Sequence, residues 1–307
     1  MKVLVTGGAG FIGSHVCEEL IRKGHTVTTI DNLSTGKIDQ IPREVNFINC
    51  DLCKISTNFK DVGKQDAIIH LAAQTLVGYS VENPIMDARQ NIMNTLETLE
   101  LCKKIGAKDF RYISSAAVYG NPRKIPISES DVCNPISAYG ISKLTGENYV
   151  RYFSEQIGLG GAIFRLANVY GPRQRNDFEG GVTSIFIQEA ISGKSPTIYG
   201  DGKQTRDFVY VGDVARILVR NLGKIRRIET LNVSTSQQTS ILDLWKIISE
   251  FCDRKQYEIM FKPWRTGDIY NSSLSNEKIM RLFAPLNFTD IVNGIRKTLK
   301  IIQSHKL

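Results

Sequence analysis

The stretch TGGAGFIG, Thr6–Gly13, constrains this chain more than any other. Ahead of it runs KVLVT, a short β-branched strand. Behind it runs FIGSHVCEELIRKG, whose apolar residues recur at helical spacing as far as Gly24. A strand that feeds a glycine turn and opens a helix is the start of a dinucleotide-binding unit. Gly7, Gly10 and Gly13 let the backbone turn sharply and approach a pyrophosphate, which the free N–H groups and positive end of the helix then hold. TVTTI (26–30) is a second strand, and Asp31 ends it, about 20 residues on. An acid there accepts from the adenine ribose hydroxyls and repels a 2′-phosphate, so NAD is favoured over NADP.

The alternation continues. VNFIN (45–49), AIIHL (67–71), FRYIS (110–114) and GAIFRLA (161–167) read as strands, with helical stretches between them at 85–105 and 137–157. This pattern predicts an α/β fold: a Rossmann-type doubly wound parallel sheet covered on both faces. From residue 168 glycine and proline cluster and polar loops lengthen. The expected division is a cofactor domain over 1–167 and a smaller substrate-binding lobe over 168–307. The strand DFVYV (207–211) and the helix from Asp213, about 207–223, are expected to return to the first domain.

The 307 residues are 42% apolar and 23% charged, as in soluble globular chains. No apolar run is long enough to span a membrane. The chain enters its first strand with no basic, apolar and cleavage-site pattern before it, so a cytoplasmic protein is expected. Of six cysteines, only those in CDLC (50–53) have metal-like spacing, and no second pair accompanies them; no metal is expected. The net charge of +8 suits anionic partners, but basic residues adjoin only in pairs, such as Lys103–Lys104. That pattern argues against nucleic acid and for phosphorylated small molecules.

AYGISK (138–143) places Tyr139 and Lys143 four residues apart, on one face of a helix. A free phenol titrates near 10, so a tyrosine base needs about three units, or ~4 kcal/mol, of phenolate stabilisation. An adjacent ammonium and a positively charged nicotinamide ring could supply it. Ser115, at a strand end, is placed to donate to a substrate oxygen or relay the proton.

The glycine motif, with Phe11 and Ile12 inside it, resembles that of the extended short-chain dehydrogenase/reductases. The resemblance runs to about residue 270. DNLSTGK (31–37) is similar to the family's adenosine loop, which implies cofactor contacts from Asp31, Asn32, Ser34, Gly36 and Lys37. Asp51 and Leu52 match the pair that contacts adenine, which explains CDLC without a metal. Leu71, Ala72 and Ala73 in HLAAQ match the strand end under the cofactor, and Asn91 matches the family's helix asparagine. Ser115, Tyr139 and Lys143 match its catalytic trio, the last two also touching cofactor. Helices at 85–105 and 137–157 match the pair that forms a dimer interface, so a homodimer is implied.

FRLANVYGPRQ (164–174) and IYGDGKQTRDFVYVGDVA (198–215) resemble the nucleotide-sugar branch, the NAD-dependent epimerase/dehydratases. That resemblance implies Asn168 and Arg206 on the substrate pyrophosphate, Val182 and Tyr199 at the base, and Arg265 and Asp268 on phosphate and ribose. Dehydratases of the branch carry Asp-Glu after the catalytic hydroxyl residue, where this chain has Ala116 and Ala117. The implied reaction is epimerisation at C4 of a UDP-hexose through a 4-keto sugar. The alternatives are another NAD-dependent nucleotide-sugar enzyme (reductase, dehydratase, decarboxylase or epimerase at another carbon), or a non-catalytic NAD-binding sensor or scaffold. The gatekeeper for N-acetyl groups falls on Ser272 counting forward and on Tyr270 counting back, and the pattern departs from the family at 273–275.

Overall fold

The computed structural model describes residues 1–57, 59–175, 181–252, 258–264 and 269–304. Its centre is a seven-stranded parallel sheet. Six strands come in chain order: β1 (Lys2–Thr6), β2 (Thr26–Asp31), β3 (Asn46–Asn49), β4 (Ala67–His70), β5 (Asp109–Ser115) and β6 (Gly160–Leu166). Across the sheet the order is Ile228–Val233, β6, β5, β4, β1, β2, β3. The chain therefore builds outward from β1 and then restarts on its other side with β4. That reversal opens a crevice at the carboxyl ends of β1 and β4, where such sheets bind ligands.

The pleat explains the core. Val3 and Val5 face one side with Val16, Cys17 and Leu20 of the first helix, Phe11–Arg22. Leu4 faces the other with Ile68, Phe110, Leu99, Val150 and Phe153. Strands buried on both faces carry continuous apolar runs, as KVLVT does. A third cluster, around Tyr170, Phe186, Phe208, Trp245, Ile248 and Leu299, forms the core of the second lobe.

Three elements differ from expectation. Ile228–Val233 rejoins the sheet beside β6, in register Ile228↔Gly161 to Val233↔Leu166. Phe208–Tyr210 stays outside the sheet and pairs in parallel with Asn168–Tyr170. The chain turns directly from Tyr210 into the helix Val211–Val219, whose Val214, Ile217 and Leu218 pack against the first helix. The stretch 85–105 is broken into Pro84–Ala88, a π-helical turn Arg89–Met93 and Asn94–Ile105. The wide turn holds Asn91, whose side chain is committed to the loop at Gln74. Among the described residues no helix is long and apolar enough to cross a membrane.

Candidate active site

The glycine turn after β1 is shaped by close approach. Gly7 has φ +76°, and a Cβ there would lie 2.7 Å from Ala72 N. A Cβ on Gly13 would lie 2.0 Å from Gly7 O, so only glycine lets the helix start against its own turn. Gly10 caps the first helix without a side-chain hydrogen bond. The N–H groups of its first turn have no carbonyl within the helix to bind, which suits an anion. Phe11 and Ile12 pack partly buried side chains against the second lobe's core and leave their backbone at the turn.

Asp31 ends β2 with both oxygens engaged: Oδ2 accepts from Ala9 N at 2.9 Å and Oδ1 from Leu33 N at 2.8 Å. Each oxygen keeps a second lone pair for a ribose hydroxyl. Gly36 lies against Ala9, and Lys37 N donates to Ala9 O at 3.1 Å, so the 32–37 loop folds onto the glycine turn. Asn32 Nδ2 donates to Asp51 Oδ2, and Asn32 Oδ1 accepts from Ser34 N. Asp51 Oδ1 accepts from Cys53 N, a bond that, despite some burial, holds this carboxyl below its usual range. Leu52 is buried in the sheet's core. Leu71, Ala72 and Ala73 follow β4; Leu71 N and Ala72 N donate to the carbonyl and hydroxyl of Thr6. Glycines that a Cβ would fill, a bare helix start and a carboxylate at the end of β2 together fit a dinucleotide.

Across the crevice, β5 delivers Ser115 and the helix Ala138–Ile157 delivers Tyr139 and Lys143. Ser137 caps that helix by accepting from Gly140 N at 3.1 Å, and Ser80 Oγ accepts from Tyr139 N at 3.1 Å. A Cβ on Gly140 would lie 2.6 Å from Ala117 O, so glycine brings the helix onto the turn that follows Ser115. Ser115 Oγ accepts from Ala117 N at 3.2 Å, and its hydroxyl is the neighbour that favours the Tyr139 phenolate. Tyr139 and Lys143 are 8% and 4% exposed. Lys143 Nζ donates to Ile113 O at 2.9 Å and lies over the rings of Tyr112 and Tyr139, 5.3 and 5.9 Å from their centroids.

Burial pushes the Tyr139 phenol up to about 12; the Ser115 hydrogen bond opposes this and Asp87 adds to it. Lys143 itself is driven down to about 8 by burial, against the pull of Asp87 and Glu147.

Asn91 is buried with every polar atom used: Oδ1 accepts from Gln74 N, and Nδ2 faces Gln74 O, Asp87 Oδ1 and Ser142 Oγ. In the second lobe Asn168 is exposed and opens the strand Asn168–Tyr170. Val182 starts the helix Val182–Ser192. Tyr199 ends a short strand, with Lys262 Nζ 5.9 Å from its ring centroid. Arg206 NH1 donates to Thr205 O and Tyr270 O. Arg265 and Asp268 lie outside the described residues. Both gatekeeper candidates border Arg206: Tyr270 Oη donates to Asp201 Oδ2 at 2.9 Å, and Ser272 N donates to Thr205 O.

Four side chains organise this site without having been singled out: Gln74, Ser80, Asp87 and Asp207. Asp207 is buried and gathers Thr235 N, Thr235 Oγ1 and Ser236 N, which pins the segment carrying Arg206. Asp87 and Asn91 share helical i,i+4 spacing, the one sequence signal that links them.

Comparison with known proteins agrees with this geometry. The family model described as "NAD dependent epimerase/dehydratase family" matches residues 3–234. UDP-glucose 4-epimerase of Mycolicibacterium smegmatis is 34% identical over 311 residues, 99% of each chain. The crystal structure of a UDP-glucose 4-epimerase with UDP-glucose, from Thermotoga maritima, superposes with TM-score 0.95 at 35% identity over 100% of both chains. A UDP-N-acetylglucosamine 4-epimerase from Methanobrevibacter ruminantium, in complex with UDP-N-acetylmuramic acid, superposes with TM-score 0.93 at 32% identity, covering 99% of this chain and 98% of that one. A glycine turn shaped for a dinucleotide, a serine, tyrosine and lysine meeting beside it, and a family match over three quarters of the chain converge: this protein belongs to the NAD-dependent epimerase/dehydratase family.

Proposed function

We propose that the protein interconverts UDP-hexoses at C4, with Tyr139 moving the proton. The observation that supports this reading is the packing of Gly140, next to Tyr139, against the turn that follows Ser115 at the carboxyl edge of the sheet, with Ala116 and Ala117 in that turn. Bound NAD, which the glycine turn and Asp31 would hold, would supply a hydride acceptor and a positive charge. Lys143, buried one turn from Tyr139 with Nζ 5.9 Å from its ring centroid, would favour phenolate over phenol when protonated.

Tyr139 takes the proton of the 4-hydroxyl as C4 is oxidised. Ser115 donates to the same oxygen and holds it in line. After the 4-keto sugar turns over, the phenol returns the proton to the oxygen on its new face. One group is base and then acid, so the proton inventory closes without a second acid. Removal of water across C5 and C6 would need further carboxyl groups, and methyl side chains at 116 and 117 supply none.

Arg206 would pair with substrate phosphate as a forked donor while NH1 stays anchored on the backbone. Asn168 would meet the pyrophosphate, and Val182 and Tyr199 would border the base. Arg265 and Asp268 would complete the phosphate and ribose contacts. A cytoplasmic homodimer built on the helices at 85–105 and 137–157 belongs to this same reading. The test is incubation of purified protein with UDP-galactose, UDP-glucose and their N-acetyl forms, without added cofactor. Interconversion at C4 is expected. No conversion of any of them, even with NAD supplied, sinks the reading.

A further inference from the structure

Tyr139 is the second residue of the helix Ala138–Ile157, so its N–H has no carbonyl within the helix to bind. Ser80 takes that N–H at 3.1 Å. Ser80 is fully buried on the short helix Val77–Glu82, and its hydroxyl donates to Val77 O at 2.7 Å. That bond spends the hydroxyl proton and leaves a lone pair for the Tyr139 N–H. The next N–H, of Gly140, goes to Ser137 of the helix's own cap. The helix therefore starts without Ser80, and the bond from Ser80 falls on Tyr139 alone.

The carbonyl of Tyr139 is held from the same direction. Ser142 Oγ donates to it at 3.0 Å, and Asn91 Nδ2 reaches Ser142 Oγ at 3.2 Å. Behind Asn91, Asp87 Oδ1 accepts from Asn91 Nδ2 and Gln74 Nε2, each at 2.9 Å, and the Gln74 peptide groups close onto the Asn91 amide. The 74–91 segment is thus a buried polar clamp with one arm on the N–H and one on the C=O of Tyr139. Gly140 meets the turn after Ser115 just beyond it. None of these hydrogen bonds involves the phenol oxygen; they set where the phenol stands.

We infer that Ser80 and Ser142 are positioning residues for Tyr139: their buried hydroxyls fix the backbone from which the phenol reaches the reacting oxygen. The inference rests on the proposed role of Tyr139. Ser80→Ala removes one oxygen and strands a buried N–H, so the first turn shifts to find another partner. Such a shift costs turnover more than binding, because the reacting atoms must meet within about 3–3.5 Å.

The test is a double-mutant cycle on protein carrying bound NAD, with rates expressed per folded, NAD-loaded molecule. Ser80→Ala should lower kcat on the UDP-sugar by about tenfold while KM stays within about twofold. In the Tyr139→Phe background no phenol remains to be misplaced, so Ser80→Ala should lower the residual rate no further. Ser142→Ala goes through the same cycle with the same expectation, and serves if Ser80→Ala does not fold. An unchanged kcat, a loss confined to KM, or an equal fractional loss in both backgrounds overturns the inference; the last is the mark of a merely structural role. Wild-type protein that converts no UDP-sugar, or a fully active Tyr139→Phe, sinks the proposed function instead, so the two failures are distinct.

Discussion

Lys143 and Glu147 stand one turn apart on the same helix, both buried, and their charges are met in opposite ways. Glu147 is surrounded by donors. Arg165 grips it with Nε at 2.9 Å and NH2 at 2.7 Å, Ser114 donates at 2.7 Å and Arg151 at 2.9 Å. Burial pushes this carboxyl up, yet the Arg165 bonds and charge leave it below its ordinary value. The network continues from Arg165 through Tyr119 to Asn232, and so ties the helix to β6 and to the last sheet strand. Lys143 has one backbone carbonyl and two ring faces, and no ion pair among the described residues. A fully satisfied charge holds the fold together. A charge left partly unmet stays available for chemistry, and stability is lost to keep it so.

The largest effects should separate these two sites. Tyr139→Phe should cut turnover by about 10²–10⁴-fold, the range for a lost acid–base group, while bound NAD and the unfolding midpoint stay close to wild type. Lys143→Met should lose turnover similarly with the fold intact. Steady-state rates and thermal melts read both, and full activity in Tyr139→Phe removes it from its role. Glu147→Ala should do the reverse. It strands Arg165 in the core, a loss of about 3–5 kcal/mol for a broken buried pair. Its midpoint should drop by about 10 °C. An unchanged melt there would break the contrast between the two sites.

Much of the cofactor half was legible because its chemistry is local. A glycine turn, the residues flanking it and Asp31 lie within one β-α-β unit, so spacing alone predicts their meeting. Tyr139 and Lys143 share a helix face. Asp87 and Ser80 were not legible, since they matter only where the 74–91 segment folds against the Ala138–Ile157 helix. The π-turn at Asn91 follows from that same docking and leaves no mark in the hydrophobic pattern. Ile228–Val233 reads IETLNV, with ETLN polar enough to pass for a loop, because its first three residues are only half-buried at the sheet edge. In the second lobe the strands are two or three residues long, too short for any periodicity.

A smaller effect tests how close that docking must be. Gly140→Ala would place a Cβ 2.6 Å from Ala117 O and 2.9 Å from Pro135 Cβ. Backbone cannot yield as a side-chain tip can, so the helix must lift off the turn after Ser115. The strain should cost about 1–3 kcal/mol. Turnover should fall by more than binding weakens, because Tyr139 shifts relative to Ser115. A kcat equal to wild type would mean that the helix tolerates the shift.

The pH dependence of stability is a further test, where the two charges act at opposite ends. Glu147 has a folded pKa below its unfolded value near 4.3, so it stabilises fully above that pH and the gain is lost as pH falls through the folded pKa. Lys143 titrates at about 8 when folded and near ~10.4 when unfolded. Between those values the unfolded chain holds more protons than the native one, so stability rises with pH. Below about 8 the full cost of burying the ammonium is present, and each unit climbed above it returns about 1.4 kcal/mol. Lys143→Met has no such group. Urea unfolding of wild type and Lys143→Met should therefore converge in acid behaviour and diverge in slope above about pH 8. Parallel curves through that window would mean that Lys143 keeps an ordinary pKa in the folded protein, and that its charge is met as completely as that of Glu147.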